Sequence, residues 1–403
     1  MVNVMSKIET ILNCDTNNIS SKDIGEMFYI RGKAYSCLET HAPQAEALLT
    51  KAAKLSPTNC DIWTSLGLCL WKKDNKSDAK LCLEEAINRA KSTGNPSLCK
   101  DALRELSILI RQMSADDYNT YTNESIHTVS NQTDISSSST KLVSKNFIDE
   151  SIKLAKEAVQ LDLNDHKSWY VLGNAYNYKF FATLNDINDI IKALGLYNKA
   201  EGLPHGKSNP DLYYNRGNLL RFLQVYDKAI SDYNMAFNLD SSFVETADSI
   251  QSINEYQAYV VELISKLNHV NTNALTSEAI VTDVSSVNEL VPGDNKDKTV
   301  QICVIRGIKE DNNSTCESYI YVDKSGQYGV INFFNVGYNV DHSKIISKYI
   351  RIYDPVKQLI QTSSGSAIPV IQVFDASHLV QNSEIICKKK AVKPKGVKVQ
   401  TFV

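Results

Sequence analysis

The pattern of apolar and polar positions changes once along the chain. From about residue 21 to residue 267, apolar residues recur every three to four positions, the spacing of helices that bury one face. Beyond about residue 271 the apolar residues gather in short β-branched and aromatic runs separated by Gly, Ser, Asp and Pro, the pattern of strands and turns. The helical part is itself periodic. In a 34-residue unit starting at Cys60, Trp63, Leu66, Gly67 and Leu70 occupy positions 4, 7, 8 and 11, and Ala79, Leu83 and Ala86 occupy 20, 24 and 27. Small residues at 8, 20 and 27 let two antiparallel helices approach closely, and large ones at 4, 7, 11 and 24 fill the space around that contact.

The frame recurs. Pro210 opens a unit with Tyr213, Gly217, Leu220, Ala229, Tyr233 and Ala236 in register. Another starts near His166, with Trp169, Leu172, Gly173 and Tyr176, an insertion at about 183–189, then Ala193, Tyr197 and Ala200. An earlier unit holds Phe28, Gly32 and Tyr35, one extra residue, then Ala45, Leu49, Ala52 and Pro57. One unit is split: 97–113 reads as a first helix, with Leu103, Leu106, Ser107 and Ile110 at 4, 7, 8 and 11, and 147–161 as its partner, with Ala155 and Ala158. Between them, 114–140 is rich in Ser, Thr, Asn and Asp and reads as a disordered insertion. This is the tetratricopeptide repeat (TPR) pattern. The expected organisation is an N-terminal segment over 1–20, a solenoid of five repeats over 21–242, and an amphipathic capping helix over 243–270.

The remainder, 271–385, carries five strand-like runs at 300–306, 318–322, 329–334, 349–353 and 369–374, with a helical link at about 341–347 between the third and fourth. Five strands so connected suit an OB-fold barrel, with a sandwich as the alternative. The expected fold class is therefore α+β multidomain, an all-α TPR solenoid followed by an all-β OB-fold barrel. Tyr319, Tyr321, Tyr328, Phe333 and Phe334 are candidates to stack on nucleic-acid bases. Over 274–385, however, 9 Lys and Arg face 13 Asp and Glu, and a nucleic-acid footprint should be basic, so barrel core and surface is the favoured reading. Basic residues gather instead in a tail at 386–403, with Lys388, Lys389, Lys390, Lys393, Lys395 and Lys398 and no acid after Glu384. That tail reads either as a nuclear localisation or RNA-touching segment or as a solvated end.

Composition narrows the chemistry. The 403 residues carry 43 Lys and Arg against 46 Asp and Glu, so the chain as a whole is not a polyelectrolyte binder. Gly (16) and Pro (9) are about half of average usage, which favours long helices. The longest apolar runs, such as 66–71, are far too short to cross a bilayer, so no membrane partner is expected. The first ten residues lack a signal-peptide core, so the Asn-x-Ser/Thr sites are expected to stay unmodified. Nine scattered cysteines without Cys-x-x-Cys spacing argue for a reducing compartment and against disulfides or zinc. No His-Glu-x-x-His, Gly-rich phosphate loop or Gly-x-Ser-x-Gly is present, so neither an enzyme nor a cofactor is expected.

Recognition is expected on the first helices, whose positions near 2, 5, 9, 12 and 13 line the concave face of a TPR array. These are Arg111 at 12 of the split repeat, Asn174 at 9 of the next, and Asp211, Tyr214, Asn218 and Arg221 at 2, 5, 9 and 12 of the last. Glu245 takes position 2 of the capping helix. Asn can bond a peptide backbone through both its donor and its acceptor, Arg can grip a carboxylate, and two acids can hold a guanidinium. The set suits a short peptide carrying both charges. Each residue taken alone also fits an ordinary solvated position. A clamp for a C-terminal carboxylate is disfavoured, because Asp211 and Glu245 would repel it.

The runs Leu109-Ile-Arg-Gln-Met113, Ser168-Trp-Tyr-Val-Leu-Gly-Asn-Ala-Tyr176 and Ser208-Asn-Pro-Asp-Leu212 resemble the tetratricopeptide repeat protein 5 (Strap) family, as does the order of TPR array, capping helix and OB fold. The resemblance covers roughly 28–380. A shorter N-terminal region, a longer split-repeat loop and the basic tail depart from it. It implies a non-catalytic adaptor in tubulin autoregulation, which sits at the ribosome, reads the N-terminal Met-Arg-Glu/Asp-Ile/Cys of nascent tubulin and recruits an mRNA decay adaptor. It also implies a second role, as a stress-responsive nuclear transcription cofactor of a histone acetyltransferase coactivator. Cytoplasmic and nuclear localisation is then expected. The family's peptide-reading residues match Arg111, Asp211 and Glu245, three positions that the repeat frame independently places on the concave face.

Overall fold

The computed structural model describes residues 21–37, 43–113, 137–182, 186–267, 284–308, 316–334, 348–361, 367–374, 379–381 and 384–385. Helices come in pairs: α1 (Ser21–Ser36) with α2 (Pro43–Leu55), α3 (Cys60–Lys72) with α4 (Lys76–Ser92), α5 (Pro96–Gln112) with α6 (Ser137–Leu161), α7 (His166–Ala182) with α8 (Ile187–Glu201), and α9 (Pro210–Phe222) with α10 (Tyr226–Leu239). A long helix, α11 (Glu245–Leu267), follows. The chain divides into two compact units. The first is 1–179 with 191–207; the second is 180–190 with 208–403.

Local chemistry sets where these helices start. Asn59, Asn75, Asn95 and Asn209 each cap a helix, their side chains accepting from a backbone N–H two or three residues on. Pro96 and Pro210 follow two of these caps, where a missing N–H costs nothing. Within the repeats the small positions perform as the frame requires. Ala79, Ala86, Ala155, Ala158, Ala193, Ala200, Ala229 and Ala236 are fully buried. A Cβ on Gly173 would lie 2.7 Å from the Tyr197 ring, and one on Gly217 would lie 3.0 Å from the Tyr233 ring. The split repeat closes in the same way across its insertion. The Ser107 hydroxyl lies 3.0 Å from that of Ser151, and Ser151 Oγ donates to the Ser107 carbonyl at 2.9 Å.

The helix α6 begins at Ser137, ten residues before the expected 147, so the end of the Ser-rich stretch is helical. The rest of the insertion, 114–136, lies outside the described residues, as do the N-terminal segment, the link at 341–347 and the Lys-rich tail.

In the second unit, nine strands among the described residues form one sheet: β1 (Gly293–Asp294), β2 (Thr299–Gly307), β3 (Cys316–Asp323), β4 (Tyr328–Phe334), β5 (Lys348–Tyr353), β6 (Val356–Gln361), β7 (Ala367–Val373), β8 (Leu379–Gln381) and β9 (Glu384–Ile385). Their order is β1-β6-β7-β4-β3-β2-β5-β8-β9. Strands β2, β3 and β4 form an antiparallel meander, and β4 pairs in parallel with β7. Only Asp354 and Pro355 separate β5 from β6, and these two segments pair with β2 and β7 at opposite ends of the central row. One bent strand thus joins both ends, which curls the sheet into a partly open, OB-type barrel. All five expected runs are strands. The additional segment β6 differs from the expectation, because Asp354-Pro355 reads as a turn in sequence but acts as the bend of a single strand.

Strand alternation then builds two cores. Val300, Ile302, Val304, Tyr319, Tyr321, Ile331, Phe333, Ile350, Ile352, Ile371 and Val373 fill the barrel. The intervening residues Ile320, Val330, Ile360 and Val370 point the other way and pack with Tyr226, Ala229 and Tyr233 of α10 and with Ile253, Val260, Leu263 and Ile264 of α11. A polar knot secures this packing. Gln224, between α9 and α10, donates to Cys316 Sγ at 3.0 Å and accepts from Asn332 Nδ2 at 2.5 Å, while Gln372 Nε2 donates to the Leu223 carbonyl. Four of the candidate stacking aromatics, Tyr319, Tyr321, Phe333 and Phe334, are buried and unavailable to bases. Tyr328 is half-buried, with its hydroxyl on the Leu267 carbonyl.

Candidate peptide-binding site

Of the seven residues singled out in sequence, Arg111 and Asn174 belong to the first unit and Asp211, Tyr214, Asn218, Arg221 and Glu245 to the second. On α9 the spacing of three, four and three residues sets Asp211, Tyr214, Asn218 and Arg221 along one stripe. Asp211 is half-buried in the first turn and has no hydrogen-bond or ionic partner among the described residues. Burial, helped by Asp240, raises its pKa above the ordinary carboxylate value. Glu245 is the exposed first residue of α11 and also has no cation partner among the described residues.

Tyr214 sits beside Phe243, with ring centroids 5.2 Å apart. Burial raises its hydroxyl pKa, opposed by a hydrogen bond from Asn218 and reinforced by the Glu245 charge. Asn218 Oδ1 accepts the Tyr233 hydroxyl at 2.8 Å. Arg221 donates to Ser249 at 3.3 Å and to Ser252 at 3.0 Å, with no carboxylate among the described residues.

Arg111 sits near the end of α5 and is 4% exposed. Its Nη1 donates to Ser151 Oγ at 3.0 Å and to Ser107 Oγ at 3.3 Å, and its Nε has no partner. No carboxylate pairs with it among the described residues. Burial lowers its pKa from the ordinary guanidinium value to about 10, against the pull of Tyr197, Tyr170 and Tyr178, so it stays charged at neutral pH. A charge held this deep without a counter-ion is costly, and an incoming anion would relieve that cost.

Asn174 accepts the Tyr197 hydroxyl at 2.7 Å, repeating the Asn218–Tyr233 bond of the last repeat. Both position-9 asparagines therefore use one lone pair of the carbonyl oxygen on an internal tyrosine. Reading the sequence misses this bond, although Tyr at position 24 in both repeats is a visible signal for it. It also misses Asn177, which is buried at position 12 beside Tyr197. Among the described residues, no cluster of His, Cys, Asp or Glu could hold a metal ion, and no helix is long and apolar enough to cross a membrane.

The helix pairs and their small-residue crossings define a tetratricopeptide-repeat array, followed in this chain by a β domain; a tetratricopeptide repeat family model matches residues 61–93 and 210–243. Arrays of this class serve as protein-interaction scaffolds. Within the class, the chain is similar to tetratricopeptide repeat protein 5. It is 30% identical to the Homo sapiens protein over 253 residues, 62% of this chain and 51% of that one, and 30% identical to the Mus musculus protein over 249 residues, 62% and 50% of the respective chains. The chain thus matches about half the length of these curated relatives. A crystal structure of yeast Tom70 aligns with a TM-score of 0.42 at 14% identity, over 66% of this chain and 50% of that one.

Proposed function

We propose that this chain is a non-catalytic adaptor that reads the N-terminal peptide of nascent tubulin at the ribosome and triggers decay of the tubulin mRNA through a decay adaptor. The observation that carries the proposal is the state of three charges. Arg111 is buried without a carboxylate, while Asp211 and Glu245 lack a cation among the described residues. The chemistry of Met-Arg-Glu/Asp-Ile/Cys matches these needs: a guanidinium suits Asp211 and Glu245, and an acid suits Arg111. Similarity to tetratricopeptide repeat protein 5 supports the same reading. The adaptor acts in the cytoplasm, on translating ribosomes. A nuclear role as transcription cofactor beside a histone acetyltransferase has no comparable observation behind it.

Selective pulldown of ribosomes with the protein tests the proposal. Translating tubulin mRNA should be enriched with the native chain and lost with Arg111→Met or Asp211→Ala. Equal recovery of unrelated messages, or enrichment that survives both substitutions, overturns it.

A further inference from the structure

Tyr197, whose hydroxyl acts on the Arg111 charge, also neighbours a second buried atom whose hydrogen-bonding capacity is unused. Asn177 lies at position 12 of its repeat on α7, the position that Arg111 holds on α5, and it is 6% exposed. Its Nδ2 donates to the Tyr197 hydroxyl at 3.4 Å, and its Oδ1 has no partner. The orientation of the amide follows from proton counting. Tyr197 has one hydroxyl proton, and the bond to Asn174 Oδ1 at 2.7 Å uses it. Tyr197 can therefore only accept from Asn177, so Asn177 must present its NH2 to the hydroxyl and its oxygen elsewhere.

The first unit thus keeps two buried, unsatisfied polar atoms near Tyr197: the Arg111 Nε–H, a donor, and the Asn177 Oδ1, an acceptor. Native structures leave few such atoms, and a site that needs both kinds filled constrains its ligand. A chloride or sulfate ion could satisfy Arg111 but carries no proton for Asn177. An acidic residue in an extended peptide has both, a side-chain carboxylate and a backbone N–H.

We infer that Asn177 is a further specificity-determining residue of this site, its Oδ1 accepting a backbone N–H of the peptide whose acidic side chain reaches Arg111. The inference rests on the peptide reading proposed above and adds to it a requirement on the peptide backbone. Asn177 reads no side chain. It fixes the register in which the acid meets the guanidinium.

The experiment compares Met-Arg-Glu-Ile with two analogues, N-methylated at the backbone nitrogen of Glu or of Ile, on the full chain and on Asn177→Leu. The native protein should lose about tenfold in affinity for one of the two analogues. Asn177→Leu should bind the unmodified peptide about tenfold more weakly and show no further loss with that same analogue, since the acceptor is already gone. The melting temperature of free Asn177→Leu should not fall, because the substitution removes an unsatisfied buried oxygen. Unmodified affinity in Asn177→Leu, with sensitivity to Arg111→Met retained, overturns the inference and leaves the peptide reading standing. Failure of the native chain to bind the peptide, or binding indifferent to Arg111→Met, removes the peptide reading and the inference with it. Should Asn177→Leu not fold, the native chain still decides: equal affinity for all three peptides overturns the inference.

Discussion

Helix α5 carries two buried arginines two turns apart, and they are partnered in opposite ways. Arg104 donates to Asp165 at 2.5 Å and to Asp101 at 2.7 Å. Among the described residues, Arg111 reaches only the hydroxyls of Ser107 and Ser151. The second unit repeats the contrast: Arg216 holds Asp232 through two bonds, at 2.7 and 2.8 Å, while Arg221 meets Ser249 and Ser252. A guanidinium with its own carboxylate is scaffolding, because its charge is already answered inside the fold. A guanidinium held by hydroxyls alone is kept in place yet remains available to an anion. The same repeat architecture therefore uses one residue type for two purposes, and the partner distinguishes them.

The largest expected effect breaks the paired region. Asp165→Ala leaves Arg104 buried without its main counter-ion and also removes the carboxylate that accepts from Ser168 N and Oγ at the start of α7. Unfolding by urea should show a loss of about 3 kcal/mol, in the range for a broken buried pair. A loss below about 1 kcal/mol would mean that the pair is not scaffolding. The matching change in the unpaired region should behave oppositely. Arg111→Met removes an uncompensated buried charge while keeping a long side chain, so the same urea experiment should show stability equal to or above native. Its affinity for the acidic peptide should fall by about 1.5–3 kcal/mol, tenfold or more.

Two aspartates sharpen the contrast through pH. For Asp165, burial pushes the pKa up, but the Ser168 hydroxyl, Arg104 and Lys100 outweigh it and hold the carboxyl below 3.8. Its contribution to stability is therefore present above that unfolded value and is lost as pH falls through the depressed native one. For Asp211 the shift is upward, so its ionised form disfavours the fold. The associated stability is present below 3.8 and is lost as pH rises through the raised native value. Asp211→Asn should thus give a small gain in stability at neutral pH, and Asp165→Asn a loss, both read by thermal melts at two pH values. The smallest expected effect is Tyr233→Phe, which removes one hydroxyl bond to Asn218 and should cost roughly 0.5–1.5 kcal/mol.

Much of this molecule can be read from its sequence, for a physical reason. Close helix crossings demand small residues at fixed intervals, so Gly67, Ala79 and Ala86 announce a repeat by their spacing alone. Strand runs announce themselves likewise through β-branched residues. What sequence hides is the identity of partners across chain distance. The outer face of the barrel, Ile320, Val330 and Val370, reads simply as the other side of strands, and nothing local says that α10 and α11 cover it. Position 12 points to Arg111, but only the fold reveals that Asp101 and Asp165 pair with Arg104, while no carboxylate among the described residues pairs with Arg111. Asn177 escapes a sequence reading because Asn174, at position 9, reads as the free amide, whereas its carbonyl is bound to Tyr197 and that of Asn177 is not.

The central claim is that Arg111 is held unpaired in order to meet an acid. Calorimetric titration of Met-Arg-Glu-Ile and Met-Arg-Gln-Ile into the native chain and into Arg111→Met tests it most directly. The native chain should bind the Glu peptide about tenfold more tightly than the Gln peptide, and Arg111→Met should bind the two almost equally. Equal binding of both peptides by the native chain, or undiminished preference for Glu in Arg111→Met, would contradict it.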